Sequence, residues 1–486
     1  MGNAWKLRDS DLKGYPHFDP IISAEEGEAL ATDPKRVAEH PFYPFMLFQR
    51  RWKRFAPAGQ ERKPKARPIR YAARGDAYIF SRYRHLLSEL YEAELRLLGL
   101  EGSVLAYRRI PDESGGGGKC NIHYARDAFL KIREFGDCFA VALDISSYFE
   151  SLDHERLETL WCRLLGTNRL PADHLRVFQA ITKYAVVEKE KAYERLGHYG
   201  EKRKSKNGKP IRGYLTKYNE IPKQLCIGRQ FREKIAGEGA DKSIIEKNFK
   251  PYGIPQGAPI SDLLANLYLI DFDKHMADWT KAVGGAYYRY SDDILIIGPG
   301  ADAEALEVME QARRLIRGFG RKLRIKREKS AVFVFERQGA DQMFRLIHGE
   351  QGRNGLEYLG FRYDGRQAYL RDSTLSNLHR KVALAARREA NACAIRYPDK
   401  GLAQLLPIFN YERLITKFGR VEDFGEKRQE YRNWTFWTYA RRASDVYGPL
   451  GKRILKQLGN HRSKIRARAR LELERAVARR DKRSVP

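Results

Sequence analysis

Two adjacent carboxylates, Asp292 and Asp293, are the residues of this chain that point most directly to chemistry. They follow Tyr290 and Ser291 and precede the apolar run 294–297, with strand-forming residues on both sides. The pattern predicts a tight turn between two buried strands, where an apolar core would not accept two unpaired charges. Metal ions explain the pair, because two-metal phosphoryl transfer needs oxygen ligands held rigidly around divalent ions about 3.5–4 Å apart.

A third carboxylate, Asp144, follows the apolar stretch 139–143, which predicts a buried strand that ends at this residue. A helix-forming stretch, 154–164, comes shortly afterwards. Asp144 could equally cap a helix or a turn, so its type alone does not assign a role. Its position at a strand end makes it a candidate metal ligand once it is considered together with Asp292.

The segment 252–261 is punctuated by glycine and proline and predicts a loop. Gly253 and Gly257 would let its backbone approach a flat or phosphorylated ligand closely. A helix is predicted to start at Ser261 and to continue through Ile270.

In this order the three segments resemble the palm of a reverse transcriptase. Asp144 with Phe149 resembles the first palm motif of that family, 253–261 resembles its PQG motif, and 290–293 resembles its YxDD motif. Further segments match the family in the same order: the triphosphate-contacting fingers segment at 63–69, the second fingers motif at 104–109, the palm strand with a lysine at 323–330, and the xxLGF primer grip at 356–361.

The resemblance implies an α+β fold of the right-hand polymerase type. Its fingers and palm would combine an antiparallel sheet with packed helices, and an α-helical thumb and C-terminal extension would follow. The predicted domains are an N-terminal extension at 1–60, fingers and palm at 61–365 with a basic insertion at 188–249, a helical thumb at 366–450, and a basic C-terminal arm at 451–486.

The resemblance also implies a catalytic centre built on the three carboxylates. Asp144 and Asp292, helped by the carbonyl of Ile145, would hold two Mg²⁺ ions, for which Mn²⁺ could substitute. Asp293 would lie beside these ions and complete the catalytic and metal-binding set.

Substrate-binding roles follow from the same resemblance. The residues are Lys63 or Lys65 with Arg67 for the β- and γ-phosphates, Phe149 as a barrier to a ribose 2′-hydroxyl, Gln256 and Gly257 under the templating base and incoming nucleotide, Lys329 as a proton donor or phosphate contact, and Leu359 and Gly360 in the primer grip.

Charge indicates a polyanionic partner. The chain has 486 residues, of which 91 are Lys or Arg and 62 are Asp or Glu, giving a formal net charge of +29. Such a surplus attracts nucleic acid in a salt-dependent manner. The segment 451–486 holds 13 Lys and Arg residues against 3 Asp and Glu. Its predicted nucleic-acid-binding residues are Arg462, Lys464, Arg466, Arg468 and Arg470.

The five cysteines show no C-x-x-C spacing, so neither a zinc site nor a disulfide framework is predicted. No apolar stretch is long enough for a signal or a membrane span, so a cytoplasmic protein without membrane contact is expected. The sequence leaves the oligomeric state open, a homo-oligomer included.

The predicted function is RNA-directed DNA polymerase, with an RNA template, a DNA product and deoxynucleoside triphosphates. Phe149 stands where related RNA polymerases carry a second aspartate, which favours deoxynucleotides. The prokaryotic branch fits best. The segment 67–72 departs from the intron-type RPLGIP pattern, and no Cys/His-rich endonuclease module follows the primer grip. These features favour an antiphage defence enzyme that copies a noncoding RNA.

Three alternatives stay open at the sequence level: a retron enzyme, a group II intron-type enzyme, and a catalytically inactive RNA-binding protein with a palm fold. Template, primer and product are not determined by the sequence.

Overall fold

The computed structural model describes residues 5–53, 64–112, 117–204, 208, 210–350, 352–419 and 435–484. Helices and strands are mixed along the chain, so the predicted α+β class is confirmed. Within these ranges no helix combines the length and apolar character that crossing a membrane requires.

The strands lie mainly in the first three quarters of the chain. In chain order they are β1 Phe45–Lys53, β2 Pro64–Tyr71, β3 Cys138–Asp144, β4 Ala185–Glu188, β5 Tyr199–Lys204, β6 Pro210–Tyr214, β7 Ile245–Lys247, β8 Ala286–Tyr290, β9 Asp293–Gly298, β10 Ala331–Gln338, β11 Asp341–His348, β12 Leu356–Tyr358, β13 Phe361–Tyr363 and β14 Ala368–Leu370.

The helices dominate the C-terminal part. In chain order they are α1 Ala24–Thr32, α2 Pro34–Glu39, α3 Arg74–Leu97, α4 Asn121–Phe135, α5 His154–Leu165, α6 Ala172–Thr182, α7 Lys189–Arg195, α8 Gly228–Phe231, α9 Ser261–Tyr268, α10 Ile270–Ala282, α11 Asp302–Leu315, α12 Asp372–Arg396, α13 Leu402–Leu405, α14 Tyr411–Phe418, α15 Phe436–Tyr447, α16 Lys452–Lys456 and α17 His461–Ser484.

A five-stranded sheet carries the predicted carboxylates, with the strand order β11-β10-β3-β9-β8. β10 pairs antiparallel with β11 and with β3. The central strands are apolar on both faces, and residues 294–297 of β9 are fully buried. Smaller sheets have the orders β2-β1-β4-β7, β12-β13-β14 and β5-β6.

Local signals account for the helices that flank the site. Asp153 caps α5 by accepting a hydrogen bond from the N–H of Arg156, and Gly166 ends the helix in the left-handed conformation. The single helix predicted from Ser261 through Ile270 is wrong in one respect, because Leu269 leaves the helical region and α10 begins afresh. Acidic residues in the first turn of α10 favour that new helix start.

The chain divides into two compact units. The first comprises Met1–Arg108, Leu143–Ile294 and Val308–Arg327, and the second comprises Arg109–Ala142, Leu295–Glu307 and Glu328–Pro486. The first unit holds an apolar cluster that includes Phe18, Met46, Val187 and Tyr193. In the second unit, α17 packs along α12 through buried residues that include Ile465, Ala469 and Leu473.

Candidate active site

The turn between β8 and β9 presents the two adjacent carboxylates, as the predicted hairpin requires. Ser291 is buried and has a φ of 60°, in the left-handed region. A non-glycine residue held in that region costs about 1–3 kcal/mol, and such strain concentrates at functional sites. Asp292 is half-buried and Asp293 is exposed. The two carboxylates therefore meet different surroundings although they are neighbours in the chain.

Asp144 is the last residue of β3 and is half-buried. The backbone N–H of the next residue, Ile145, donates a hydrogen bond of 3.0 Å to the carbonyl oxygen of Asp292. The N–H of Ser146 donates to the carbonyl of Arg324, also at 3.0 Å. These long-range bonds bring Asp144 and Asp292 to adjoining backbone positions in the first unit.

The donor set suits a hard divalent cation, because carboxylate and carbonyl oxygens are the ligands that Mg²⁺ prefers. In the part of the chain that the structure describes, no three His, Cys, Asp or Glu side chains group closely enough to hold a metal ion by themselves. Mg²⁺ usually keeps several waters and uses one or two carboxylates together with substrate phosphates. Asp144 and Asp292 fit that mode of binding rather than a closed cage of protein ligands.

A fully buried ion pair lies behind the turn. Arg289 of β8 donates two hydrogen bonds of 2.6 Å to Asp273 of α10, and both side chains are 0% exposed. Burial lowers the pKa of Arg289, but the Asp273 carboxylate outweighs this and holds that pKa above its usual value. Arg289 also donates to the carbonyl oxygens of Asn266 at 3.1 Å and of Ser291 at 3.2 Å. A permanent positive charge is therefore bonded directly to the backbone of the carboxylate turn.

A second contact, from Tyr107, holds the same turn. Tyr107, which also has a positive φ, of 62°, donates its hydroxyl to the Oγ of Ser291 at 3.1 Å. The backbone of the Tyr107 segment is tied to β8, since the N–H of Leu105 donates to the carbonyl of Arg289 at 2.9 Å and the N–H of Arg289 donates to Ser103. Burial raises the pKa of the Tyr107 phenol, which keeps the hydroxyl protonated as a donor.

Arg289, Asp273 and Tyr107 have no individual role among the sequence-based predictions, although Tyr107 belongs to the predicted fingers motif at 104–109. A usable signal was present in β8, because the two-residue period of a strand puts Arg289 on the same face as Tyr287, and the structure buries that face. A charged residue at a buried strand position requires a partner charge nearby. The sequence did not say which of the 62 acidic residues supplies it.

The Gly/Pro loop packs against the segment that follows Asp144. The N–H of Gly253 donates to the carbonyl of Leu152 at 2.7 Å, and the N–H of Ile254 donates to the carbonyl of Phe149 at 2.8 Å. Gly253 has a φ of 90°, and an added Cβ would lie 3.1 Å from the carbonyl oxygen of Glu150. The half-buried Phe149 is therefore fixed at its backbone by the loop that carries Gln256.

The same loop contacts β2 on its other side. The N–H of Arg70 donates to the carbonyl of Gln256 at 2.9 Å, and the Nε of the exposed Arg67 donates to the Oε1 of Gln256 at 3.2 Å. Gly257 has a φ of 121°, and an added Cβ would lie 2.6 Å from the carbonyl oxygen of Arg70. Only glycine allows this approach, so the structure brings Arg67 together with Gln256 and Gly257.

Three lysines were predicted to contact phosphate, at positions 63, 65 and 329. Lys63 lies outside the described residues, and of Lys65 only the backbone, in β2, lies within them. Lys329 is exposed in a 3₁₀ turn, Arg327–Lys329, and belongs to the second unit.

The predicted primer grip forms the turn between β12 and β13. Leu359 has a φ of 45° and Gly360 one of 92°. The side-chain amide of Asn121 donates to the carbonyl of Leu359 at 3.0 Å and to the hydroxyl of Tyr439 at 2.9 Å. This strained turn is thereby tied to α4 and α15 within the second unit.

The predicted basic arm consists largely of α17, one side of which is buried. Most of its predicted nucleic-acid-binding residues have an acidic partner: Arg462 and Arg466 pair with Glu412 at 3.4 and 3.5 Å, Arg468 with Glu472 at 2.8 Å, and Arg470 with Glu474 at 3.1 Å. Among the described residues, Lys464 has no such partner. The helix therefore offers less free charge than its composition indicates.

One part of this chain matches a known protein family. Residues 215–363 match the reverse transcriptase (RNA-dependent DNA polymerase) family. This part of the chain is a reverse transcriptase domain. It contains the PQG loop, the Asp292–Asp293 turn and the Leu359–Gly360 turn, whereas Arg67 and Asp144 precede it.

Individual relatives are distant. Protein YkfC of Escherichia coli strain K12 is 28% identical over 148 residues, which cover 21% of this chain and 38% of that protein. This chain therefore matches well under two thirds of its curated relative. The structure of apo telomerase from Candida tropicalis, truncated from the C-terminal domain, has a TM-score of 0.38 and 10% sequence identity to this chain. The match covers 71% of this chain and 60% of the telomerase chain. The structure of telomerase from Candida tropicalis in complex with a TWJ fragment of telomeric RNA has a TM-score of 0.34 and 11% sequence identity to this chain. The match covers 93% of this chain and 67% of the telomerase chain. Similarity at these identities and TM-scores assigns no further property to this chain.

Proposed function

We propose that this protein is an RNA-directed DNA polymerase that extends a primer with deoxynucleotides by two-metal nucleotidyl transfer. One observation carries the proposal: the Ile145 N–H donates to the Asp292 carbonyl at 3.0 Å, which puts two carboxylates at adjoining strand ends. The family match supports it independently, because the residues that match include Asp292.

Asp144, Asp292 and the carbonyl of Ile145 would hold the divalent ions, with the exposed Asp293 beside them. Divalent ions held there would supply charge neutralisation for the triphosphate and a lowered pKa for the attacking 3′-hydroxyl. The chain's own contribution is rigidity. Arg289 donates a hydrogen bond to the Ser291 carbonyl and so fixes the turn. The turn therefore does not have to reorganise when negative charge develops on the reacting phosphate.

The loop at 252–261 would align the incoming nucleotide. Arg67 is bonded to Gln256 through Nε alone, which leaves guanidinium N–H groups available for phosphate oxygens. Phe149, fixed on the other side of the loop, would exclude a ribose 2′-hydroxyl. Lys329 as a proton donor and the Leu359–Gly360 turn as a primer grip complete the proposal.

The first prediction tests the carboxylates. Asp144→Asn and Asp292→Asn should each lower Mg²⁺-dependent dNTP incorporation on a primed RNA template by roughly a thousandfold or more, because each removes a metal ligand. Neither should lower the melting temperature, since each relieves repulsion between neighbouring carboxylates.

The matched control is Asp278→Asn, which changes an exposed aspartate of α10 that pairs with Lys274. It should retain full incorporation. A folded Asp292→Asn or Asp144→Asn protein with normal incorporation would contradict the metal assignment. A wild-type protein that binds RNA but incorporates nothing would favour the inactive RNA-binding alternative.

We further propose that the template is a dedicated noncoding RNA and that copying it serves antiphage defence, with retron and group II intron-type roles as the alternatives. The resemblance of the motifs to that branch and the surplus of basic residues support this role. RNA and DNA that co-purify with the protein should be sequenced, and phage plating efficiency compared between cells carrying wild-type protein and Asp292→Asn. A single abundant structured RNA with complementary DNA, and protection lost in the variant, are expected. Random cellular RNA and unchanged plating would contradict the defence role.

A further inference from the structure

A cavity of about 230 Å³ lies in the second unit, between α12 and the beginning of α17. Its floor is buried and its rim is exposed. It is lined by His379, Val382, His461, Lys464, Ile465 and Arg468. None of these residues belongs to a polymerase motif.

Every polar group in this lining is cationic or becomes cationic on protonation, and no carboxylate is among them. Lys464 stands exposed at the rim and, within the described residues, has no acidic partner. Arg468 reaches Glu472 through its Nη2, but its Nε is buried and has no hydrogen-bond partner in the described chain. The cavity thus offers an ammonium group and an unpaired guanidinium N–H from one helix face.

Two imidazoles add to this arrangement, with ring centroids 6.2 Å apart. His461 is 5% exposed and donates its Nε2–H to the carbonyl oxygen of Phe418 at 2.9 Å. Burial lowers the pKa of His461, and the neighbouring His379 and Lys464 lower it further. Burial and then Lys464 lower the pKa of His379. Two imidazoles, one from α12 and one from α17, therefore face one another beside the Lys464 ammonium, and the acids that bond arginines of α17, Glu412 and Glu472, are already paired.

We infer that this cavity is a binding site for a phosphate group, carried either by a small ligand or by a nucleic-acid strand. Lys464 and Arg468 would donate charge-assisted hydrogen bonds to the phosphate oxygens. His461 at the floor and His379 at the rim would gain protons as the anion enters, because its negative charge would stabilise the charged imidazoles that burial, and then the nearby positive charge, disfavour. The inference does not depend on polymerase activity.

The experiment uses the full-length protein with ¹³C-labelled histidine, and it follows the pH titration of the His379 and His461 ring carbons by NMR. Three probes are added separately: inorganic phosphate, AMP and a short single-stranded RNA, each against chloride at the same ionic strength. A phosphate-bearing probe should raise both histidine pKa values. Lys464→Met should weaken its binding about tenfold, and Lys452→Met, the same change at an exposed lysine of α16, should not.

The probes distinguish the sources of the phosphate. Titration shifts with phosphate or AMP identify a small-ligand site, and shifts with RNA alone identify a strand phosphate. Arg468→Lys, which keeps the charge but removes Nε, should weaken binding as well, and melting curves establish that each variant is folded. The inference is wrong if chloride produces the same shifts, if no probe produces any, or if Lys464→Met binds as well as wild type.

Discussion

Phe149 is the residue on which sugar selection is expected to depend. Its backbone is tied to the Gly/Pro loop through the hydrogen bond from Ile254, and its ring is half-buried. The second prediction is that Phe149→Ala raises the ratio of kcat/KM for ribonucleotides over deoxynucleotides by about 10- to 200-fold, because a small side chain leaves room for the 2′-hydroxyl.

Steady-state incorporation of matched rNTP and dNTP pairs measures this ratio. Phe249→Ala is the control, because Phe249 is 87% exposed in the same unit. It should leave the ratio unchanged. If Phe149→Ala leaves the ratio unchanged as well, the ring is not the barrier and RNA synthesis returns as a candidate activity.

At the scale of elements, the turn between β8 and β9 depends on the ion pair between Arg289 and Asp273. The third prediction is that Asp273→Asn lowers the free energy of unfolding by about 3–5 kcal/mol, since it leaves a buried guanidinium without its partner charge. The double variant Arg289→Met with Asp273→Leu should recover most of that loss, because apolar side chains replace both charges.

The double variant distinguishes the effect of the ion pair on protein stability from its effect on the position of the β8–β9 turn. It still lacks the hydrogen bond to the Ser291 carbonyl, so the Mg²⁺ concentration for half-maximal incorporation should stay above the wild-type value. Urea unfolding gives the first quantity and a Mg²⁺ titration of primer extension gives the second. A double variant with wild-type Mg²⁺ dependence would limit the pair to a structural role.

Across the whole molecule, burial sets the response to acid. Burial lowers the pKa of a group of histidines in the described chain: His17, His123, His154, His174, His379 and His461. Unfolded histidines bind protons near pH 6.5, before these folded ones do. The fourth prediction is that the free energy of unfolding falls as the pH falls from about 6.5 to 5, because the unfolded state takes up more protons in that window.

Urea unfolding at a series of pH values measures this slope. Burial lowers the pKa of His17 to about 3, so His17→Gln should reduce the slope between pH 6 and 5 by about 1.4 kcal/mol per pH unit. His275→Gln, at an exposed position of α10, is the matched change. A slope that His17→Gln does not alter would contradict the contribution of this residue.

The sequence by itself determined the features that depend on neighbouring residues. The hairpin around Asp292, the strand that ends at Asp144, and the helix 154–164 follow from apolar patterning, turn residues and caps, which act over a few positions. The carboxylates were also recognisable as candidate metal ligands from residue type and order.

Only the tertiary structure decided which of these residues have partners. The bond from Ile145 to Asp292, the pairing of Arg289 with Asp273, and the approach of Gly257 to Arg70 join residues far apart in sequence. The predicted basic arm at 451–486 is a further example. Its composition gives the number of charges, but only the structure shows that α17 is packed and that most of its arginines are paired. The physical reason is that burial and charge pairing depend on distance in space, whereas patterning reports only distance along the chain.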